Sequence, residues 1–539
     1  MRDLPQDRRL CRKISSTWHL AAALMTVVMS GLVSAVTPAH AHAENAQERA
    51  ANSVSLASAQ DAACQHAGPK GCAELGLEAM GGQARLESIK SLSLEMVLHT
   101  ALMEQSYRQH PFITAYERQK VIVDFAGKRV YRQSHLTWPE SDPGDAESDS
   151  TLVAGVNGGV NHAAADRPCS LADLDWVRDT LSLSPARVLL TALQSKDLRF
   201  GQPELIRATE HTVLSFSWEG TSVRVAINPF NHLPDAVDSV ELFHDHWYQW
   251  GDVTRRVYFD NWKTFHGLVY PTNQVEERNG AIWQSSQVLN LDMNAAIDEA
   301  QFKMDAKAAE RSAQSKGWER PFPDNKGADL APGVTLYENA WNSTLIKQPD
   351  GIVILEAPLS GVYTNGLIQE AGRRYPGIPI KAVLSTSDSW PHVGGVRQAV
   401  ALGFPVYILD LNQPLLDRLI HAPHKLHPDS LAQAFKAPKW RVVSQKIPIG
   451  AGENRIELYP LRGASTERQY MVYFPEHHLL YVSDTLSLDE HNVLYDPELM
   501  REVVQAVHRE GLQVNTAFAM HQGPVPWTQV ISILDKSLN

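Results

Sequence analysis

Cysteine and excess basic charge are both scarce in this sequence. Its 539 residues include only four cysteines, too few for disulfides to replace a hydrophobic core. Lys and Arg number 49 against 61 Asp and Glu, a formal net charge of −12, whereas nucleic-acid binding needs basic side chains that neutralise phosphates. We therefore expect no nucleic-acid partner. What the chain does contain is 43% hydrophobic residues, enough to build the cores of a few globular domains, and 22 histidines, which raise the question of a metal site.

The first 43 residues have the pattern of a cleaved secretory signal. Basic residues between positions 8 and 13 precede an apolar run over Leu20–Val36, and Ala41-His42-Ala43 supplies a small-residue cleavage site. The run is interrupted by Ser30, Gly31 and Ser34 and is short for a membrane span. We therefore predict export to the periplasm and no transmembrane anchor in the mature chain.

Cys64 and Cys72 bracket the sequence CQHAGPKGC near the start of the mature chain. An oxidising compartment would let them pair, and we predict this structural disulfide rather than a redox or metal role. Cys169 is then the odd cysteine, a buried or free thiol. Residues 44–73 are rich in Ala, Ser and Gln without periodicity, which predicts a flexible leader.

Residues 74–304 are dominated by alternating apolar and polar residues, which predicts a mostly antiparallel β domain. A predicted helix containing Met80-Gly81-Gly82 precedes the strands, and Gly267-Leu268-Val269-Tyr270-Pro271 lies in their later part. In this pattern the segment resembles periplasmic lipoprotein-carrier domains. That resemblance implies a sheet curled around helices and an apolar, envelope-derived ligand on its concave face; the alternative is a β domain that only packs against its neighbour. We expect residues 141–167 to form a long exposed loop and the stretch 305–333 a linker.

Five landmarks follow in order across residues 334–539. They are Asn342–Pro358, the loop Thr386-Ser387-Asp388-Ser389-Trp390-Pro391-His392-Val393-Gly394-Gly395, then Gly463-Ala464-Ser465-Thr466, Tyr481-Val482-Ser483-Asp484 and Met520-His521-Gln522-Gly523-Pro524. In this series the C-terminal half resembles the metallo-β-lactamase superfamily, whose fold is an αββα sandwich with metals at the edge between two sheets. The predicted fold class is therefore α+β: an αββα sandwich over 334–539, preceded by the mostly antiparallel β domain.

The likeness to that superfamily breaks down at its metal ligands. The three histidines that hold the first metal in the family fall on Ser387, Ser389 and Ser465, while the second-site aspartate falls on Pro391. A neutral serine hydroxyl is a poor zinc ligand beside imidazole, so we expect the first metal site to be lost. The family positions that keep a metal-binding side chain are His392, Asp484 and His521. The resemblance therefore implies at most one divalent metal, zinc with iron or manganese as alternatives, or none.

Three interpretations of this site remain open. In the first, the three retained residues hold one metal, and Asp388 or Glu467 joins Asp484 as a further ligand or as a base. In the second, the fold has lost its metals, and the three serines form a polar cup, walled by Trp390, that binds without chemistry. In the third, one of these serines is a nucleophile activated by His392 or His521, and Asp484 orients that histidine.

The leading hypothesis is an exported metal-dependent hydrolase that acts on an unidentified ester, lactone or amide, so the expected partner is a small-molecule substrate. The rival hypothesis is a non-catalytic periplasmic protein, on a metal-depleted fold, that binds an apolar envelope ligand. The fold does not decide between them, because one fold hosts many activities. Metal content and turnover distinguish the two.

Overall fold

The computed structural model describes residues 62–105, 112–138, 147–162, 166–324, 326–489 and 491–537. The predicted secretory signal over 1–43 and the predicted leader up to residue 61 lie outside these ranges. Within them, no helix combines the length and the apolar character needed to span a membrane. All the described residues belong to one compact unit.

Among the described residues, the N-terminal part forms a 14-stranded sheet in which neighbouring strands are antiparallel. Its strands are β1 (Ser91–Ala101), β2 (Thr114–Asp124), β3 (Arg129–Thr137), β4 (Glu147–Gly155), β5 (Gly158–His162), β6 (Asp166–Pro168), β7 (Arg199–Phe200), β8 (Glu204–Ile206), β9 (Thr209–Trp218), β10 (Thr221–Ile227), β11 (Pro234–Leu242), β12 (Asp252–Phe265), β13 (Leu268–Arg278) and β14 (Ala281–Met293). Their spatial order is β6-β5-β4-β3-β2-β1-β14-β13-β12-β11-β10-β9-β7, with β8 paired to β9. This confirms the prediction of a mostly antiparallel domain.

Helices share one hydrophobic core with this sheet. They are α1 (Ala62–Ala79), α2 (Gln83–Ser88), α3 (Leu171–Ser182) and α4 (Val188–Gln194). Residues of β1 and β2, in the middle of the sheet, and of β9 and β10, near one end, contribute to that same core. The sheet must therefore curl around the helices.

The turn between α1 and α2 requires glycine. Gly81 and Gly82 have φ angles of 113° and 99°, which residues with a Cβ rarely adopt. A Cβ on Gly81 would lie 2.3 Å from the carbonyl oxygen of Gly267, and the Val269 N–H donates to the Met80 carbonyl at 3.0 Å. The two glycine-containing segments singled out in the sequence thus contact each other and join β13 to the end of α1.

The described parts of three segments predicted to be irregular contain helices or strands. Helix α1 covers Ala62–Ala79, so residues 62–73 of the expected leader are helical. The loop expected over 141–167 contains β4 and β5, whose backbones pair into the sheet beside β3. In the expected linker over 305–333, a further helix, α5 (Ala306–Ala313), packs on β5, and Ser312 Oγ accepts a hydrogen bond from the Gly159 N–H at 2.9 Å.

Cys64 and Cys72 form a disulfide within α1, which is kinked between them at Gly68. Cys169 is a buried free thiol, and burial raises its pKa to about 11. We expect replacement of Cys64 and Cys72 by serine to lower the free energy of unfolding by about 2–3 kcal/mol, because the bond closes a short loop in the unfolded chain. Urea unfolding of the oxidised protein and the double variant measures this difference. Coincident unfolding curves would contradict it.

The C-terminal half contains two further sheets. A seven-stranded sheet has the order β15-β16-β17-β18-β19-β20-β21, formed by Ala328–Ala331, Val334–Tyr337, Ser343–Gln348, Gly351–Leu355, Ile380–Leu384, Pro405–Leu409 and Lys439–Val443. A six-stranded sheet has the order β22-β23-β24-β25-β26-β27, formed by Ile447–Ile449, Ile456–Pro460, Tyr470–Phe474, Leu479–Tyr481, Thr516–Phe518 and Val525–Pro526. The helices are α6 (Gly361–Arg374), α7 (Trp390–Val393), α8 (Val396–Leu402), α9 (Gln413–His421), α10 (Ser430–Gln433), α11 (Pro497–Arg509) and α12 (Trp527–Ser537).

Alternating side chains build these elements into four layers. Val353 of β18 lies in the core between the two sheets, together with Val472 of β24. Its neighbours Ile352 and Ile354 point the other way, into a core shared with α6, α8 and α9, as the period of two in a strand dictates. The outer face of the six-stranded sheet packs in the same way on α11 and α12. The helix–sheet–sheet–helix arrangement confirms the predicted αββα sandwich and the α+β class.

Candidate metal centre

The loop that carries the first candidate residues is held between the two sheets. Thr386 donates its N–H, at 3.1 Å, and its hydroxyl to the buried carboxylate of Glu356, at the end of β18. The same hydroxyl lies 2.7 Å from Ser483 Oγ, beyond β25. Burial raises the pKa of Glu356 to about 7. Since an unbonded buried polar group is costly, these hydrogen bonds fix the loop against both sheets.

His392 lies on α7, directly after this loop, and its side chain is only 2% exposed. Its Nδ1 is 3.0 Å from Ser387 Oγ. In the tautomer in which Nδ1 donates to that hydroxyl, Nε2 carries a lone pair. Ser387, predicted from the sequence to mark a lost metal-ligand position, therefore orients an imidazole instead.

Asp484 and His521 come from the other sheet. They follow β25 and β26, which are parallel neighbours, so both residues lie at the same edge. The Asp484 N–H donates to Gln469 Oε1 at 3.0 Å. His521 Nδ1 is 2.7 Å from the Ala340 carbonyl oxygen; because a carbonyl only accepts, Nδ1 carries the proton and Nε2 of the neutral ring is a lone pair.

These three side chains converge on one point. The Nε2 atoms of His392 and His521 are 3.3 Å apart. Asp484 Oδ2 lies 3.6 Å from His392 Nε2, and Asp484 Oδ1 lies 3.3 Å from His521 Nε2. Two ligands bound at about 2.0–2.1 Å to a tetrahedral ion lie about 3.3 Å apart. The three donor atoms are thus spaced as the ligands of one metal ion. Because the two Nε2 lone pairs and the carboxylate repel one another at these distances, a cation or a proton between them is favourable.

The electrostatics of the three groups support this view. Burial lowers the pKa of His392 to about 4, despite the nearby carboxylate of Asp484, so the imidazole is neutral and able to ligate. Burial also acts to lower the pKa of His521, but the hydrogen bond and charge of Asp484 outweigh it and raise that pKa. Burial alone would raise the pKa of Asp484, but the charges of the two histidines and the hydrogen bond with His521 outweigh burial and lower this pKa. Both shifts favour the charged forms of His521 and Asp484, and a metal ion would compete with the proton for His521.

Removing the hydroxyl that contacts His392 tests its positioning role. We expect Ser387→Ala to weaken zinc binding by about 10- to 100-fold, the usual effect of losing a hydrogen-bond partner of a ligating histidine. Competition with a chromophoric chelator measures the affinity. Ser465→Ala, in the other altered loop, is the matched control, and an equal effect of both substitutions would contradict the role of Ser387.

The two acidic residues predicted as extra ligands or bases lie apart from this convergence. Asp388 is fully buried, and its Oδ2 accepts a hydrogen bond from Arg468 Nε at 2.6 Å. Burial raises the pKa of Asp388 to about 6, against the effect of Arg468. Glu467 is half-buried in the neighbouring turn. Among the described residues, the group whose ligand atoms lie within 4.8 Å of one another consists of His392, Asp484 and His521, without either acid.

The other predicted pocket residues have structural contacts. Ser389 is buried, and its carbonyl accepts the His392 N–H at 2.9 Å. The Ser465 N–H donates to both carboxylate oxygens of Glu502 at 3.1 Å. Trp390 is buried against two tryptophans of the N-terminal part, Trp247 and Trp250, with ring centroids 4.8 and 5.2 Å away. Trp390 thus joins the metal loop to the N-terminal part of the chain.

One wall of the site was not predicted from the sequence. The ring of Trp341 lies 6.0 Å from that of His521, and Trp318 lies 5.9 Å from Trp341. The Arg320 guanidinium stacks 4.9 Å over Trp341, and His246 lies 5.5 Å from Trp318. Trp318 and Arg320 come from the predicted linker and His246 from the N-terminal part, whereas Trp341 lies between β16 and β17. Their only sequence signal is residue type, because nothing in their spacing links them to His521.

Solved structures similar to this chain are metallo-β-lactamase-fold proteins. DIM-1 metallo-β-lactamase is 15% identical with a TM-score of 0.32, and the match covers 40% of this chain and 98% of that one. A metallo-β-lactamase from Pontibacter korlensis is 14% identical (TM-score 0.31), with 40% and 99% covered. The sec-alkylsulfatase Pisa1 from Pseudomonas sp. is 13% identical (TM-score 0.29); the match spans 39% of this chain and only 41% of the sulfatase. No protein-family model and no curated protein matches the sequence.

Proposed function

We propose that the protein is an exported hydrolase that holds one divalent metal ion on His392, Asp484 and His521 and cleaves an ester, lactone or amide. The observation that carries this proposal is the convergence of two imidazole Nε2 atoms and a carboxylate at the spacing of metal ligands. Two nitrogens and one oxygen suit zinc, and also iron, while manganese is a weaker match to the imidazoles.

A divalent metal in such a site lowers the pKa of bound water towards about 7 and polarises a substrate carbonyl. The residues around the metal position orient the ligands and supply the charge for that chemistry. Ser387 and the Ala340 carbonyl orient the two imidazoles from their Nδ1 side, and Asp484 supplies the negative charge. The His521 side chain is 31% exposed against 2% for His392, so substrate approaches from the His521 side, past Trp341.

The altered positions support one metal rather than two. Ser387 is engaged with His392, and the Ser465 backbone with Glu502. Neither loop offers an imidazole at these positions, so a second ion would lack the ligands that zinc prefers.

A serine nucleophile is disfavoured by the same geometry. Ser387 is fully buried, so an electrophile cannot reach its hydroxyl. Its partner His392 has a pKa lowered to about 4 by burial, which makes it a weak general base at neutral pH. We therefore expect no labelling of the native protein by a fluorophosphonate probe, read by intact-protein mass spectrometry. Stoichiometric labelling of Ser387, Ser389 or Ser465 would favour the serine mechanism instead.

The proposed function is tested on full-length protein purified without chelator. Elemental analysis should find about one equivalent of zinc, iron or manganese, and a panel of esters, lactones and amides should reveal turnover that a chelator abolishes. The His392→Ala, His521→Ala double variant should lose both. Turnover that persists in this variant would contradict the proposal, whereas ligand binding without turnover or metal would favour the non-catalytic alternative.

A further inference from the structure

A cavity of about 330 Å³ lies between the N-terminal sheet and α3, apart from the metal centre. This volume is in the range of small-molecule sites. Its apolar lining includes Leu94 and Val121 from the middle of the sheet, Val257 and Phe259 from β12, and Trp176 from α3. The cavity can therefore accommodate an apolar body.

The cavity also has a charged side with more acids than bases. Its lining includes six carboxylates and three arginines among the described residues. Arg278 forms ion pairs with Glu276 at 2.7 Å and with Asp245 at 2.5 Å. Its guanidinium also stacks on the rings of Phe243 and Trp283. Arg132 pairs with Asp173 at 3.0 Å. These two arginines are therefore already engaged, and an anionic ligand would find neither of them free.

One carboxylate is left without a close partner. Asp179, on α3, is 9% exposed, and its Oδ1 is fully buried with no hydrogen-bond partner among the described residues. Its Oδ2 has only a 3.5 Å contact with Arg255, which lies closer, at 3.0 Å, to Glu276. Burial raises the pKa of Asp179 to about 8, and the neighbouring Glu241 adds to this effect. A cationic group next to Asp179 would therefore give this carboxylate a closer charge partner than Arg255 does.

We propose that this cavity binds a cationic amphiphile, a molecule with an apolar body and a protonated amine that pairs with Asp179. A purely apolar ligand would leave the buried Asp179 carboxylate without a closer charge partner, which is unfavourable. The Asp179 side chain is 12% exposed and lines the cavity, so an ammonium group can pair with its carboxylate and balance the excess of acid, while the ligand's chain covers the lining of β1, β2 and β12. This inference does not depend on the proposed hydrolase activity.

The experiment compares three ten-carbon probes with the same tail, namely decylamine, decan-1-ol and decanoate. Each is titrated calorimetrically into the full chain below its micelle concentration. We expect one saturable site that binds decylamine at least tenfold more tightly than decan-1-ol, with decanoate weakest. Equal affinities, tighter binding of decanoate, or no saturable binding of decylamine would overturn the proposal, and these comparisons need no variant.

Variants then locate the site. Asp179→Asn should weaken decylamine binding at least tenfold and change decan-1-ol binding less than threefold. Glu95→Gln is the matched control, because Glu95 is exposed on β1, whereas Leu92, Leu94 and Met96 of the same strand line the cavity. Val121→Phe, which fills the cavity, should weaken both probes. Circular dichroism verifies that each variant folds, and decylamine binding that survives both Asp179→Asn and Val121→Phe would refute the assignment.

Discussion

Replacing His392 or His521 by alanine is expected to lower zinc affinity by more than about 100-fold, since loss of an outer hydrogen-bond partner alone costs about 10- to 100-fold. Each substitution removes one of three donors from a centre whose Nε2 atoms are 3.3 Å apart. Hydrolytic turnover should fall with the metal. Competition titration against a chromophoric chelator gives the affinity, and the same preparations give the rate.

His508→Ala is the matched control. His508 is an exposed histidine in the last turn of α11, so its loss should change neither zinc affinity nor turnover. Metal binding to the native state also stabilises the fold, so zinc should raise the melting temperature of the control and not of His392→Ala. Equal zinc stabilisation of both variants would place the metal elsewhere.

Removing Arg468 is expected to destabilise the protein by about 3–5 kcal/mol, the usual effect of breaking a buried ion pair. Asp388 is fully buried, and Arg468 is 13% exposed. Without the guanidinium, the carboxylate in the middle of the metal loop has lost its charged partner. Urea unfolding of Arg468→Ala, followed by circular dichroism, measures the loss.

Two comparisons separate this effect from a general loss of surface charge. Arg501 pairs with Glu498 in an exposed i,i+3 pair on α11, so Arg501→Ala should cost less than about 1 kcal/mol. Adding Asp388→Asn to Arg468→Ala should recover part of the stability, because the stranded charge is then gone. If Arg468→Ala cost no more than Arg501→Ala, Asp388 would not depend on its partner.

The features that could be predicted from sequence depend on strand ends. His392, Asp484 and His521 each lie in a landmark that follows a strand, and strand ends of a sandwich meet at one edge. The family resemblance carried by the ordered landmarks predicted both the αββα sandwich and the three residues that the structure brings together. The antiparallel sheet was predicted from a different signal, the alternation of apolar residues, because a period of two identifies a strand with one buried face.

The rest depends on contacts between distant segments. Asp388 was predicted as a ligand or base because of its place in the loop, and only the fold shows that Arg468, 80 residues later, holds its carboxylate. The strands at 147–155 and 158–162 were predicted as loop because their Gly and Ala content conceals a pairing that β3 stabilises. Trp390, likewise, is explained by Trp247 and Trp250, which no local pattern connects to it.

Anomalous diffraction from zinc-soaked crystals shows directly whether these three residues hold the metal. We expect one zinc peak about 2.0–2.2 Å from His392 Nε2, from His521 Nε2 and from a carboxylate oxygen of Asp484. A zinc peak bound elsewhere, or no peak between these three residues at saturating zinc, would contradict this expectation.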